Sequence, residues 1–363
     1  MEKIRIINLA GDHLPKFVEK PLHDWVLYGA DNLYPNKLIE LLNTSCLHNA
    51  IITSKVEMSK GKELKTDVED VFAKRMMNGG DYDMHELVNR LFFDYYTFGG
   101  FCFETIKSKD GLWSYFNHIP FDKVRSGKMD EEERISNYWY SRDWSKYRKN
   151  EYTPREIPTY STGDQSLVYV KPHRPGCDYY PLPSYVGALA YIELDSEIGN
   201  FHLNNIKNGL APSFVIRFPN VPTPDQLDEM YDSIKEQYGG SSNSGKFILL
   251  YGDGASAPEV TVMPTSQLDK QYTTLQALVM QNVLSGHKVT SPMLMGIKTE
   301  GQLGGNSEIE TAYRIYFNSY IKPAQELIMS WINWVINDVK PGTPEIKIVD
   351  SDPYINAIPK QTE

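Results

Sequence analysis

The sequence predicts an α+β fold, and three observations predict it. Helical periodicity and strand-like alternation are interleaved through the first half of the chain. Two helical stretches then flank a small insert that carries strands of its own, and one long helical pattern closes the order. No fixed period recurs, which excludes a solenoid or propeller.

The elements follow in order. Residues 36–60 carry apolar positions three and four apart after Pro35, so one or two helices are expected, with Asn43, Thr44 and Ser45 placed to break and re-cap them. Asp81–Asp94 reads as another helix. Tyr95–Ile106 alternates with aromatics around Gly99 and Gly100 and reads as a strand with a bulge or close approach. Strand-like pieces run from Leu112 to Val170, punctuated by Pro120, Gly127, Pro154, Pro158 and Gly163. These make an N-terminal α+β unit. From Pro183 to Asn208 the pattern is helical, with Gly209 as a suitable C-cap. The insert reads as a strand over Ser213–Phe218, a helix over Thr223–Tyr238, a strand over Lys246–Tyr251 and a third over Val260–Met263. Ser266–Gly286 is helical, with Leu268, Tyr272, Leu275 and Val279 on one face. After a Gly/Gln/Asn-rich stretch, Thr299–Asn306, the last helical pattern spans Ser307–Val339, and Pro323 should kink it.

Composition bounds the function. A chain of 363 residues has room for two or three units, and 41 % hydrophobic against 23 % charged residues supplies enough apolar surface to exclude wholesale disorder. Lys and Arg number 37 against 47 Asp and Glu, a net charge of −10, the wrong sign for holding nucleic acid by phosphate neutralisation. Cys46, Cys102 and Cys177 are far apart and form no CxxC pair, so neither a disulfide framework nor a cysteine zinc site is signalled. The charged start and the lack of a long apolar run lead to the expectation of a soluble, unexported, cytoplasmically made protein. The 24 tyrosines lead to the expectation of broad contact surfaces or half-exposed sheets.

No local pattern carries catalysis. Gly240–Lys246 satisfies G-x-x-x-x-G-K, but Phe247 stands where a magnesium-binding hydroxyl belongs, and a helix precedes while a strand follows, the reverse of a phosphate loop. A nucleotide-dependent enzyme using Lys246 is the alternative this motif leaves. His85-Glu86 lacks the second histidine of a zinc protease and reads as a capped surface helix. Cys46 and His48, two apart on a helix, face apart, a buried thiol and a surface imidazole. Asp81, Asp83, Asp110, Asp122 and the 130–133 acidic run show no metal-loop spacing and read as solvated loops. Tyr138–Tyr152 sets Trp139, Trp144 and Tyr147 among Arg142, Lys146, Arg148 and Lys149. That stretch serves either base stacking or an edge strand at a subunit interface, and the aromatic enrichment of interfaces favours the second.

With these motifs placed, the chain resembles the portal proteins of tailed bacteriophages of the siphophage type. Trp25-Val-Leu-Tyr-Gly-Ala-Asp31-Asn32-Leu33-Tyr34-Pro35, then Ser45, His48, Ile51-Ile52 and Lys55–Gly61, resembles the opening of portals from phages and prophages of the Bacteroides group. Further on, Phe201 to Asn208-Gly209 and Pro212 resembles the family's F-x-x-N-G-a-x-P, and Gly245-Lys246 to Gly252 its gK-x-x-v-L-x-x-G. Ser266, Asp269 and Gln271, then Pro292 to Gly296, with Ser291 in place of Val, then Asn306–Glu310, Tyr320 and Pro323 follow the family order.

The resemblance implies a ring, typically a dodecamer, at one capsid vertex, through which double-stranded DNA is packaged and ejected. It implies a wing over 1–182, a first stem helix over 183–209, a clip over 210–265 and a second stem helix over 266–286. A tunnel-loop region over 287–306, a C-terminal wing helix over 307–340 and a tail or short crown over 341–363 complete it. Lys298, Glu300, Gln302 and Asn306 would belong to the tunnel loop and DNA channel. Asp225, Asp228, Glu229 and Asp232 would be the clip contacts for terminase or adaptor, and Glu193, Asp195, Glu197 and Asp269 the stem acids. The implied partners are further copies of the chain, the terminase large subunit, the major capsid protein and a head–tail adaptor, with no membrane, no metal, no cofactor and no catalytic residue. The implied location is the virion, after assembly in the host cytoplasm. Another head–tail connector component is the alternative within the same class. The charge pattern is compatible with a conduit: Tyr185–Gly240 holds three cations against eight acids, a surface that lets a polyanion slide rather than gripping it.

Overall fold

The structure, a computed structural model, describes residues 14–65, 82–107, 114–160, 165–207, 214–218, 247–251, 259–262, 268–297 and 306–351. It divides into two units, Met1–Ala190 with Val283–Glu363, and Tyr191–Asn282.

The first unit opens with an antiparallel pair, β1 (Phe17–Glu19) and β2 (Val26–Tyr28). Helix α1 (Tyr34–Thr44) starts on Pro35, whose missing N–H is no loss in a first turn. Ser45 separates it from α2 (Cys46–Lys60) and caps it, accepting from the His48 N–H at 3.2 Å. A short strand, β3 (Glu63–Lys65), follows. Helix α3 (Met84–Phe98) is capped by Asp83, which accepts from the Glu86 N–H at 2.8 Å. It runs four residues beyond the expected Asp94 and ends on Gly99 at φ 85°. The expected strand from Tyr95 is therefore corrected: Leu91, Phe92 and Tyr96 continue the helical stripe, and the aromatics at 95–98 only mimic alternation. A Cβ on Gly99 would meet the Leu182 carbonyl, so both its φ and its neighbour demand glycine.

Strand β4 (Phe101–Lys107) lies between β5 (Ser114–His118) and β9 (Gln165–Val170), antiparallel to both. Strands β6 (Val124–Ser126), β7 (Asn137–Tyr140) and β8 (Arg155–Pro158) form a second antiparallel sheet in that order. The central place of β7 corrects the edge-strand reading of Tyr138–Tyr152. Tyr138 and Trp144 are buried, and Trp139 and Tyr147 pack on the Trp25, Leu27 and Trp144 cluster, so this aromatic stretch is core.

A 3-10 turn, Val186–Ala188, leads into α4 (Leu189–Lys207). In the second unit β10 (Phe214–Phe218) pairs in parallel with β11 (Phe247–Tyr251) and antiparallel with β12 (Glu259–Val262). A parallel pair needs a crossover; the helix expected over Thr223–Tyr238 and the Gly240–Lys246 loop lie outside the described residues. Helix α5 (Leu268–Gly286) returns to the first unit, where a Cβ on Gly286 would come within 2.3 Å of Ala188 Cβ.

The closing helical pattern is three pieces: α6 (Asn306–Tyr316), a π-helical turn over Phe317–Ile321 and α7 (Lys322–Val339). Pro323 sits in the first turn of α7, where its missing N–H is tolerated. Beyond it β13 (Lys347–Val349) pairs antiparallel with β3, so this part of the expected tail is a strand of the first unit.

The core is unusually rich in tyrosine. Tyr28 stacks on Tyr180 with ring centroids 4.0 Å apart, and Tyr138 on Tyr169 at 4.6 Å. Tyr28 donates to the Pro181 carbonyl at 2.6 Å, and Tyr180 to that of Val26. Among the described residues eight tyrosines are buried, so part of the tyrosine abundance serves the core rather than contact surface. Beside them Arg125 is fully buried. Its Nε and Nη2 donate to Asn32 Oδ1 and O, both at 2.7 Å, and Nη1 donates to the Asp122 and Val124 carbonyls at 2.7 and 2.8 Å. Asn32 holds φ at 67° and also accepts from the Tyr28 N–H at 3.0 Å.

Candidate functional site

Glu193, Asp195 and Glu197 all lie on α4. Glu193 and Glu197 share a face one turn apart and Asp195 is turned away; Glu193 and Asp195 are half-buried and Glu197 is exposed. Asp269 lies in the first turn of α5, with its side chain outside the described set. Asp225, Asp228, Glu229, Asp232, Lys298, Glu300 and Gln302 fall outside the described residues. Asn306 is the first residue of α6, so a helix begins where loop was expected. On the same long helices, Leu194 is 38 % exposed and Leu203 and Leu278 are each 48 % exposed, large apolar surface for a single subunit.

The ends of α4 and α5 that belong to the first unit are tied to α2. The Tyr185 hydroxyl, just before α4, donates to the Thr97 carbonyl at 2.7 Å, and its ring stacks on His287 with centroids 4.8 Å apart. His287 follows α5 directly. Its Nε2 lies 2.8 Å from Nδ1 of His48, and its Nδ1 lies 3.1 Å from Nζ of Lys55. A donor at Lys55 fixes the order: His287 carries its proton on Nε2 and donates to His48, which then carries its own on Nε2. That last N–H is buried without a partner.

Burial holds both imidazoles neutral. It pushes His48 down to about 3, with Lys55 adding to the effect, and His287 well below its ordinary value. Lys55 itself is pushed down to about 7, by burial first and by Lys288 second. His48 at the surface and Cys46 buried was the expectation; the reverse is found, because Ser45 caps α2 and orients its first turn so that Cys46 is exposed and His48 inward. The chemistry here is structural anchoring: neutral imidazoles form a directional chain that fixes the two helix ends.

A second, partly buried pair, His118 Nε2 and Asp94 Oδ2 at 2.8 Å, resembles a catalytic dyad. Asp94 also accepts from the Phe121 N–H at 3.3 Å, and burial raises its carboxyl and pushes the nearby Cys102 thiol up strongly. A thiol held in that form is no nucleophile, so the dyad ties α3 to the 118–121 segment. Among the described residues no three His, Cys, Asp or Glu side chains converge on a metal position, and no helix is long and apolar enough to cross a membrane. Sequence reasoning missed the His48, Lys55 and His287 cluster because 239 residues separate the two histidines.

No protein-family model and no curated protein matches the sequence. The fold has solved counterparts. A chain in the neck of an empty gene transfer agent particle, computed with C6 symmetry, superposes with a TM-score of 0.60 at 16 % identity, over 89 % of this chain and 85 % of that one. A chain in the neck of the native particle, computed with C12 symmetry, gives 0.56 at 18 % identity over 86 % and 84 %. The HK97-family phage portal protein from Corynebacterium diphtheriae gives 0.52 at 13 % identity over 86 % and 95 %. This chain has the fold of phage portal proteins, in agreement with the α+β class and with the portal resemblance read from its motifs.

Proposed function

We propose that the protein is the portal subunit of a phage-like particle, assembling with copies of itself into a ring at one capsid vertex through which double-stranded DNA passes. The observation that carries this reading is the length of the match: likeness over 86 % of this chain and 95 % of a phage portal protein takes in both units rather than one shared module. The parts take their names from it. Residues 1–182 with 307–340 form the wing, α4 and α5 the stem, 210–265 the clip and 287–306 the tunnel-loop region, with Lys298, Glu300, Gln302 and Asn306 lining the channel. Terminase and adaptor meet the clip acids Asp225, Asp228, Glu229 and Asp232, and the major capsid protein surrounds the wing.

Two features support the reading. Leu194, Leu203 and Leu278 are exposed in one chain and would be covered by a neighbour in a ring. The acid excess from Tyr185 to Gly240, Glu193, Asp195 and Glu197 included, gives DNA little to hold, as a conduit requires. The role is structural rather than enzymatic. Light scattering after size-exclusion chromatography, run over a series of concentrations and paired with negative-stain images, is the test. Rings are expected at high concentration, together with weak, salt-labile binding to duplex DNA; a chain that stays monomeric throughout and forms no rings overturns the proposal.

A further inference from the structure

A cavity of about 660 Å³ opens in the first unit between α2, α3, residues 172–184 and the helices that follow His287. Its lining includes Lys55, His173, Arg174 and Lys288 and no carboxylate, in a chain whose net charge is −10. Arg174 spends one donor on the Pro183 carbonyl at 3.2 Å, and Lys288 Nζ lies 5.5 Å from the ring centroid of Tyr320. Among the described residues none of the four makes an ion pair. Tyr316, also in the lining, keeps a buried hydroxyl with no hydrogen-bond partner. Basic side chains converge here with no carboxylate among them, beside an unused buried hydroxyl, an arrangement receptive to an anion.

We propose that this cavity binds the phosphate group of a nucleotide, with Arg174 and Lys288 at the mouth, Lys55 and Tyr316 on the floor, and Tyr320 as the ring on which the base stacks. The volume falls in the range of about 300–1,000 Å³ typical of small-ligand sites. The Arg174 fork suits a tetrahedral oxyanion. Lys55, held down to about 7 without a ligand, regains its proton when an anion arrives. Tyr320 is 37 % exposed and available for stacking. This site does not rest on the portal reading.

The experiment is equilibrium dialysis of dAMP against the full-length protein at constant ionic strength, with inorganic phosphate and a short single-stranded oligonucleotide as competitors. Saturable dAMP binding is expected, displaced by phosphate. Lys288→Gln and Arg174→Gln should each weaken it by about tenfold, the loss that goes with one charge-assisted hydrogen bond. Arg134→Gln, on an exposed loop, should leave it unchanged. Lys288 is exposed, so its variant keeps the fold even if the Arg174 variant does not. Displacement by the oligonucleotide at lower concentration than by free dAMP identifies nucleic acid as the source of the phosphate; the opposite order identifies free nucleotide. Binding that is absent, or that survives the Lys288 change intact, overturns the proposal.

Discussion

Among its described residues the first unit buries one arginine and one lysine, Arg125 and Lys55, and treats them in opposite ways. Arg125 meets four oxygen acceptors at 2.7 to 2.8 Å, two of them on Asn32, and its guanidinium also lies 4.9 Å from the Trp144 ring centroid. Lys55 has the His287 ring nitrogen at 3.1 Å and the Tyr96 ring centroid at 5.6 Å, with Lys288 adding repulsion. Burial lowers the pKa of both, but Arg125 starts so high that it stays charged, while Lys55 falls to about 7. The contrast teaches that acceptors decide what a buried charge does. A cation with its donors satisfied is architecture, and one left short of acceptors is free to respond to proton or ligand.

Breaking the satisfied side should have the largest effect. Asn32→Ala removes the Oδ1 acceptor of Arg125 Nε and of the Tyr28 N–H, and asks alanine to hold φ at 67°. A charged hydrogen bond, a neutral one and a left-handed residue together predict a loss of about 4 kcal/mol. Urea unfolding under conditions where the chain is monomeric measures it; a loss below about 1 kcal/mol would show that Arg125 finds other acceptors.

The unsatisfied side is best probed by pH. Lys55 titrates near 7 in the folded chain and at its ordinary 10.5 when unfolded, so between these values unfolding takes up a proton. Its contribution to stability is complete above 10.5 and is lost as pH falls towards 7, with a slope approaching about 1.4 kcal/mol per pH unit midway. Lys55→Met should remove that slope. Comparing the two proteins from pH 7.5 to 9.5 isolates it from the tyrosines and cysteines, which titrate in both; equal slopes would mean that Lys55 is solvated and ordinary.

The same contrast separates what the sequence discloses from what it hides. Local signals were legible: Pro35 starting α1, Ser45 capping α2, and strands placed to within a residue or two at Phe214–Phe218, Phe247–Tyr251 and Glu259–Val262. The extension of α3 through Phe98 was not, because aromatics at successive positions satisfy both periods, and Gly99 decides where the helix stops. Asn32 stood in a quoted motif, yet its role depends on Arg125, 93 residues on. Lys55, Arg174, Lys288 and Tyr316 share a cavity but no spacing, so no pattern could have gathered them. The acidity of α4 was legible by counting alone.

The finest test of the comparison uses two tyrosines and one atom each. Tyr180 donates to the Val26 carbonyl and accepts from the Ser126 N–H at 3.0 Å, whereas the buried Tyr316 hydroxyl has no partner. Removing the first hydroxyl leaves a buried donor and a buried acceptor unmatched, so Tyr180→Phe should lose about 1–3 kcal/mol. Removing the second relieves an unmet group, so Tyr316→Phe should leave stability unchanged or raise it by up to about 1 kcal/mol when no nucleotide is present. Denaturant midpoints for the two variants in phosphate-free buffer give the answer. If Tyr316→Phe costs as much as Tyr180→Phe, its hydroxyl already has a partner inside the fold, and the cavity loses the donor that makes its floor receptive to an anion.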